Sequence, residues 1–153
     1  MWYTFPGKAP FDGFGEWTSG VGDINRDGFD DIAVGARGDD LAGPDFGGAF
    51  VFSGRDGAQL LFMSGPSQKC WFGVVSKAGD VDADGYDDVV VGAYFDKTAG
   101  PESGSAFVYS GKTGAQRWKF SADSPGDWLG LSVDGIGDID HGVRDDVLVG
   151  APY

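Results

Sequence analysis

The stretch Gly22-Asp23-Ile24-Asn25-Arg26-Asp27-Gly28-Phe29-Asp30-Asp31-Ile32-Ala33-Val34-Gly35-Ala36 decides the reading of this chain, because it returns at 79–93 as GDVDADGYDDVVVGA and at 137–151 as GDIDHGVRDDVLVGA. The three Gly-Asp pairs stand 57 and 58 residues apart. The same period carries Phe14-Gly15 to Phe72-Gly73 and Leu129-Gly130. It also carries Gly48-Ala49-Phe50-Val51-Phe52-Ser53-Gly54 to Gly104-Ser105-Ala106-Phe107-Val108-Tyr109-Ser110-Gly111. Self-similarity at a fixed period is the mark of a repeat architecture.

Between these anchors lie short runs rich in β-branched and aromatic residues, bounded by Gly, Asp, Ser and Pro, with no helical period of useful length. Each unit has room for four strands: one after the Phe-Gly pair, then runs like Ile32–Ala36, Ala49–Phe52 and Gln59–Met63. This predicts an all-β protein of four-stranded antiparallel β-propeller blades, about three per chain with the last incomplete. A stacked solenoid is the rival, but solenoid units are mostly helical or shorter. The units are expected at 1–58, 59–115 and a truncated 116–153. Met1–Phe5 aligns with the fourth strand, Gln59–Met63, and the last unit reaches only its second strand, so about eleven strands are expected. Unpaired strands at both ends invite pairing with another chain, most simply other copies of this one in a homo-oligomeric ring.

Composition narrows the function. The 153 residues carry a net charge of −13, which disfavours nucleic acid and anionic membranes as partners. No apolar run is long enough to insert in a membrane. The 28 glycines follow no three-residue period and punctuate turns. Cys70 has no cysteine to pair with in the chain.

The nine-residue loop Asp23–Asp31 places side-chain oxygens at positions one, three, five and nine, from Asp23, Asn25, Asp27 and Asp31; Asp80, Asp82, Asp84 and Asp88 repeat the pattern. Such an array, with the carbonyls of Phe29 and Tyr86 at position seven, suits calcium, which takes six to eight oxygens. Two calcium sites per chain are expected. Gly28 and Gly85 allow the tight turn at position six. A helical EF-hand would need a glutamate at position twelve, where Val34 and Val91 stand. In the third copy, Asp138, Asp140 and Asp146 remain, but Gly142 and Val143 occupy positions five and six. That loop is expected to bind metal weakly or not at all, a change at Asp145 to matter little, and His141 to be an exposed loop residue.

These residues resemble the Phe-Gly/Gly-Ala-Pro repeat of integrin α-subunit propellers and of many secreted bacterial proteins. The carriers are Phe14-Gly15, Phe72-Gly73, the two acidic loops, Gly35-Ala36, Gly92-Ala93 and Gly150-Ala151-Pro152. Arg37 and Tyr94 depart from the pattern at the proline, and Leu129 at the phenylalanine. The resemblance implies calcium in hairpin loops on one face and partner recognition by longer loops on the other. Here those loops are 37–47 and 94–103, with Asp39, Asp40, Asp45, Asp96 and Glu102 as candidate partner-binding residues.

No nucleophile elbow or phosphate-cradling loop is present, and there is one His and one Cys, so no enzyme is expected. The reading is a calcium-binding module, secreted or at the cell surface, that binds a protein partner. Alternatives are a self-assembling spacer without a ligand, or the non-catalytic part of a calcium-dependent secreted hydrolase. Trp2, Trp17, Trp71, Trp118 and Trp128 are expected to pack, with carbohydrate platforms as the other use of such rings.

Overall fold

The structure is a computed structural model that describes residues 3–153; Met1 and Trp2, and with them part of the expected strand Met1–Phe5, lie outside the described residues. Ten strands form three antiparallel sheets and no helix occurs among the described residues. The first sheet holds β1 (Trp17–Gly22), β2 (Asp31–Ala36), β3 (Gly48–Phe52) and β4 (Gln59–Ser64) in chain order. The second repeats it with β5 (Phe72–Gly79), β6 (Asp88–Ala93), β7 (Ser105–Tyr109) and β8 (Gln116–Ser121). The third is the pair β9 (Ser132–Gly137) and β10 (Asp146–Gly150). These are propeller blades, two of four strands and one of two, in an arc that is not closed. β4 pairs with β3 in register Ala49↔Met63, so the sheets place the unit divisions between 64 and 72 and between 121 and 132; we propose those in place of divisions at 58 and 115.

Period and pairing agree closely. Ile32↔Phe52 to Ala36↔Gly48 in the first blade corresponds to Val89↔Tyr109 to Ala93↔Ser105 in the second. Each innermost strand is bulged as it enters the acidic loop, with Gly22, Gly79 and Gly137 at φ of 75, 81 and 70°. Only glycine takes that conformation freely, which is why the Gly-Asp pair recurs.

Blades pack face to face. The cluster between the first two joins Val21, Ile24, Val51 and Met63 to Phe72, Val75, Val89, Val91, Phe107 and Tyr109, all buried. Between the second and third it shrinks to Ala78, Val81, Val90 and Val108, with Trp118, Val133 and Val147 against it. The two motif glycines mark the closest approach. A Cβ on Gly35 would stand 1.8 Å from the carbonyl oxygen of Gly73, and one on Gly92 2.0 Å from that of Gly130. Gly73 and Gly130 therefore lie on the Gly-Ala glycine of the blade before them.

The ends differ. Tyr3–Phe5 is not strand, which leaves ten strands where about eleven were expected. It still occupies the place of an outer strand. Tyr3 lies over Gly57 as Leu61 lies over Gly114, and Gly7 approaches Phe14 as Gly65 approaches Phe72. Phe5 stacks on Phe52 at 4.4 Å, and Phe14 meets Phe50 at 5.6 Å, so residues 3–14 cover the outward face of the first blade. At the other end Phe120 is 41% exposed where its counterpart Met63 is 3% exposed, because nothing among the described residues stands beside β10 as β7 stands beside β6.

Candidate metal loops and the opposite rim

The acidic loops connect the first and second strands of each blade and adopt one conformation three times over. Arg26 and Gly28 have φ of 59 and 91°, Ala83 and Gly85 58 and 84°, His141 and Val143 63 and 84°. In the first loop the Asp23 carboxylate accepts from the amides of Asp27 and Gly28, and Asp27 accepts from that of Phe29. Asp80 and Asp84 do the same for Asp84, Gly85 and Tyr86 in the second.

Position nine is the deepest. Asp31 and Asp88 are fully buried, and each closes its loop by accepting from the backbone amide at position two, Ile24 or Val81. The second oxygen of each accepts from Gly54 or Gly111 in the turn between the blade's outer strands. Burial pushes the Asp88 carboxyl up to about 6, with Asp82 and Asp84 adding to the rise against the two amide bonds. Asp31 is raised for the same first reason. A buried carboxylate crowded by others is a donor set that a hard cation would complete.

The structure brings Asp80, Asp82 and Asp88 together with one oxygen from each within 4.8 Å of the others. Asp138, Asp140 and Asp146 converge in the same way. In the first loop Asn25 supplies the amide oxygen at position three, and its Oδ1 already faces the loop centre by accepting from Asp27 N. The donor chemistry of the first two loops fits calcium. The third loop keeps its convergence but has Gly142 where the others have Asp27 and Asp84, and holds β-branched Val143 at φ 84°, a conformation that costs such a side chain. Amides of Gly142 and Val143 hold the Asp138 carboxyl below the usual range. His141 is exposed.

Two tethers link neighbouring loops and an ion pair within the second blade braces one of them, and sequence reasoning did not find them. Arg26 donates to the Gly85 carbonyl and lies 4.1 Å over the Tyr86 ring. Lys77 pairs with Asp87 at 2.8 Å. Asp145 accepts from the amide of Asp80 at 2.9 Å, so this residue, expected to matter little, supports the second loop from the next blade. An aspartate one place before the loop's last ligand was the available signal.

At the opposite ends of the strands lie loops 37–47 and 94–103. Asp39 and Asp96 are 2% and 3% exposed, so the expectation that they meet a partner is corrected. Each instead ties down its own loop. Asp39 accepts from Leu41 N, and Asp96 accepts from Thr98 Oγ1, Ser105 Oγ and Lys119 Nζ. Burial opposes ionisation of Asp96, yet those donors hold its carboxyl below the ordinary value. Asp40 and Glu102 are exposed; Asp40 accepts from the half-buried Asp45, and Glu102 from Trp128 Nε1. An arc of rings spans the three blades on this rim. Trp71 stacks on Phe95 at 4.1 Å, Phe95 meets Trp128 at 5.2 Å, Trp128 meets Tyr153 at 4.9 Å, and Trp17 meets Tyr94 at 6.3 Å. Arg37, standing where the motif has proline, lies 4.9 Å over Trp71.

Repeated four-stranded blades, Phe-Gly pairs seated on Gly-Ala glycines and acidic loops between the inner strands define an integrin-like β-propeller module. The FG-GAP repeat model matches residues 14–52 and 72–109, half of the chain, and the chain belongs to that family. It is 30% identical over 145 residues to integrin alpha-3 of Mus musculus, covering 86% of this chain. It is 29% identical over 158 residues to integrin alpha-6 of Homo sapiens and 32% over 167 residues to integrin alpha-8 of Mus musculus, covering 97% and 96% of this chain. The chain spans 13%, 13% and 15% of those proteins.

Proposed function

We propose that this chain is a non-catalytic, calcium-stabilised adhesion module, extracellular or at the cell surface, that recognises a protein partner through the rim opposite its calcium loops. The observation that carries the calcium reading is the threefold recurrence of one loop conformation, with carboxylates turned to a common centre in the second and third loops. Asp23, Asn25, Asp27 and Asp31 with the Phe29 carbonyl would hold one ion, and Asp80, Asp82, Asp84 and Asp88 with the Tyr86 carbonyl another. Bound there, calcium would neutralise the buried Asp31 and Asp88, carboxylates that themselves tie each loop to the outer turn by accepting from the amides of Gly54 and Gly111. On the opposite rim, Asp40, Asp45 and Glu102 beside the aromatic arc offer anchors and charge of the kind protein interfaces use.

The open edge of β10 favours a second part to this reading, that further strands complete the arc and that the isolated chain recruits them from copies of itself. Tyr3–Phe5 already packs in the place of an outer strand beside the first blade, so a second copy's β9–β10 would meet a prepared face. Native mass measured with calcium and with chelator tests both parts. The expected result is an oligomer in calcium, two chains as the simplest case, that loosens to monomers on chelation. A compact monomer in both conditions would contradict the assembly.

A further inference from the structure

We propose that Arg117 is the built-in counter-ion of the second acidic loop and holds its calcium affinity below that of the first. The inference rests on the calcium reading above. Arg117, on β8, places Nη2 2.8 Å from Asp82 Oδ2, and the Asp82 side chain is 5% exposed while that of Arg117 is 45% exposed. A second cation from the same hairpin, Lys112, lies 3.6 Å from Asp84 Oδ2 and 4.7 Å above the ring of Tyr86. Arg26 also lies over that ring, at 4.1 Å, and donates to Gly85. With Lys77 on Asp87, four positive side chains therefore crowd one loop.

The register of the repeat shows that the pairing of Arg117 with Asp82 belongs to the second blade, whereas Lys112 has a cationic counterpart in Arg55. Val51↔Leu61 corresponds to Val108↔Trp118, so the counterpart of Arg117 is Leu60, and the counterpart of Asp82 is Asn25. The additional carboxylate and its guanidinium occur together, and both are missing from the first loop. Counting carboxylates alone ranks the second loop above the first, four against three, because affinity in such loops rises with ligand charge. Pairing Asp82 with Arg117 and Asp84 with Lys112 reverses that order. An ion entering the second loop must share Asp82 with Arg117 or displace it, and Arg117 is exposed enough to swing into water. The first loop therefore fills first, and filling of the second frees a side chain on the outer strand.

The two sites can be read apart. Tyr86, at position seven of the second loop, sensitises terbium luminescence, whereas Phe29 at the same position of the first does not; loss of the signal in Tyr86→Phe assigns it. Calcium is then titrated against terbium in the wild-type chain, Arg117→Gln, Arg117→Lys and Lys112→Gln. Arg117→Gln is expected to tighten calcium at the second loop about fivefold, the upper range for a half-exposed ion pair, and Lys112→Gln less, in the same direction. Arg117→Lys should stay near wild type. Unchanged or weaker affinity in Arg117→Gln would overturn the proposal, since Arg117 would then be orienting Asp82 for the ion. Absence of any second-loop signal in both wild type and Arg117→Gln would overturn the calcium reading itself, and this inference with it.

Discussion

Alanine at Gly35 is expected to destabilise the protein by about 3 kcal/mol, the high end for overpacking, although it adds a single methyl group. The methyl would stand 1.8 Å from the Gly73 carbonyl oxygen and 2.8 Å from its carbon. The obstacle is backbone of the next blade, so relief requires moving a whole sheet and loosening the cluster around Phe72. Gly92→Ala should behave alike, at 2.0 Å from Gly130 O, but with a smaller penalty, because the third blade is held by fewer buried side chains and can yield. Gly20→Ala is the control. It lies in β1 with nothing within 4 Å of an added Cβ, and removing a glycine from a strand there should be neutral or stabilising by about 0.5 kcal/mol. Urea denaturation of the three variants measures the order. Equal stabilities for Gly35→Ala and Gly20→Ala would show that the blades do not meet at the motif glycines.

Phe72→Ala is expected to cost more than any other truncation in the chain, about 3–5 kcal/mol. Phe72 is fully buried, lies edge-on to Phe107 at 5.7 Å and to Tyr109 at 6.1 Å, and fills the junction of the first two blades. Phe14 holds the same place in the repeat and makes the same kind of contacts, with Phe50 at 5.6 Å and Phe52 at 6.2 Å. It is only half-buried, roofed by residues 3–7 where Phe72 has a complete blade before it. Phe14→Ala should therefore cost about 1–2 kcal/mol, the value of the smaller apolar area removed from water. The difference between the two phenylalanines measures what a neighbouring blade contributes. A loss at Phe14 equal to that at Phe72 would mean that the N-terminal segment covers the first blade as well as a blade would.

The blade order, the strand types and the conformation of the acidic loops were legible because each depends on residues close together in the chain. Gly-Asp at a bulge, Gly28 at positive φ and alternate aspartates facing one centre are local requirements, and the period repeats them. The physical meaning of the Phe-Gly and Gly-Ala pairs was not legible, since Gly35 and Gly73 meet only after two sheets stack. Asp39 and Asp96 were misread for a related reason. An aspartate in a long loop is usually at the surface, and only the positions of Ser105 and Lys119 across the blade reveal that Asp96 is a buried anchor. Arg117 and Asp145 act on loops other than their own, across a strand pair and across a blade interface, where sequence spacing carries no signal. The segment 3–5 was aligned correctly with an outer strand, but without a third strand among the described residues to pair with, it packs there and does not become one.

Calorimetric titration of calcium into the 153-residue chain, stripped of metal by chelator and shown to be folded by circular dichroism, tests the central claim most directly. Two sites per chain are expected, falling to one in Asp84→Ala. An ion that binds only the folded loop should stabilise it by about 2.7 kcal/mol per site at a hundredfold excess over its Kd, and so raise the melting temperature. A folded chain that takes up no calcium, with a melting temperature indifferent to chelator, would contradict the account.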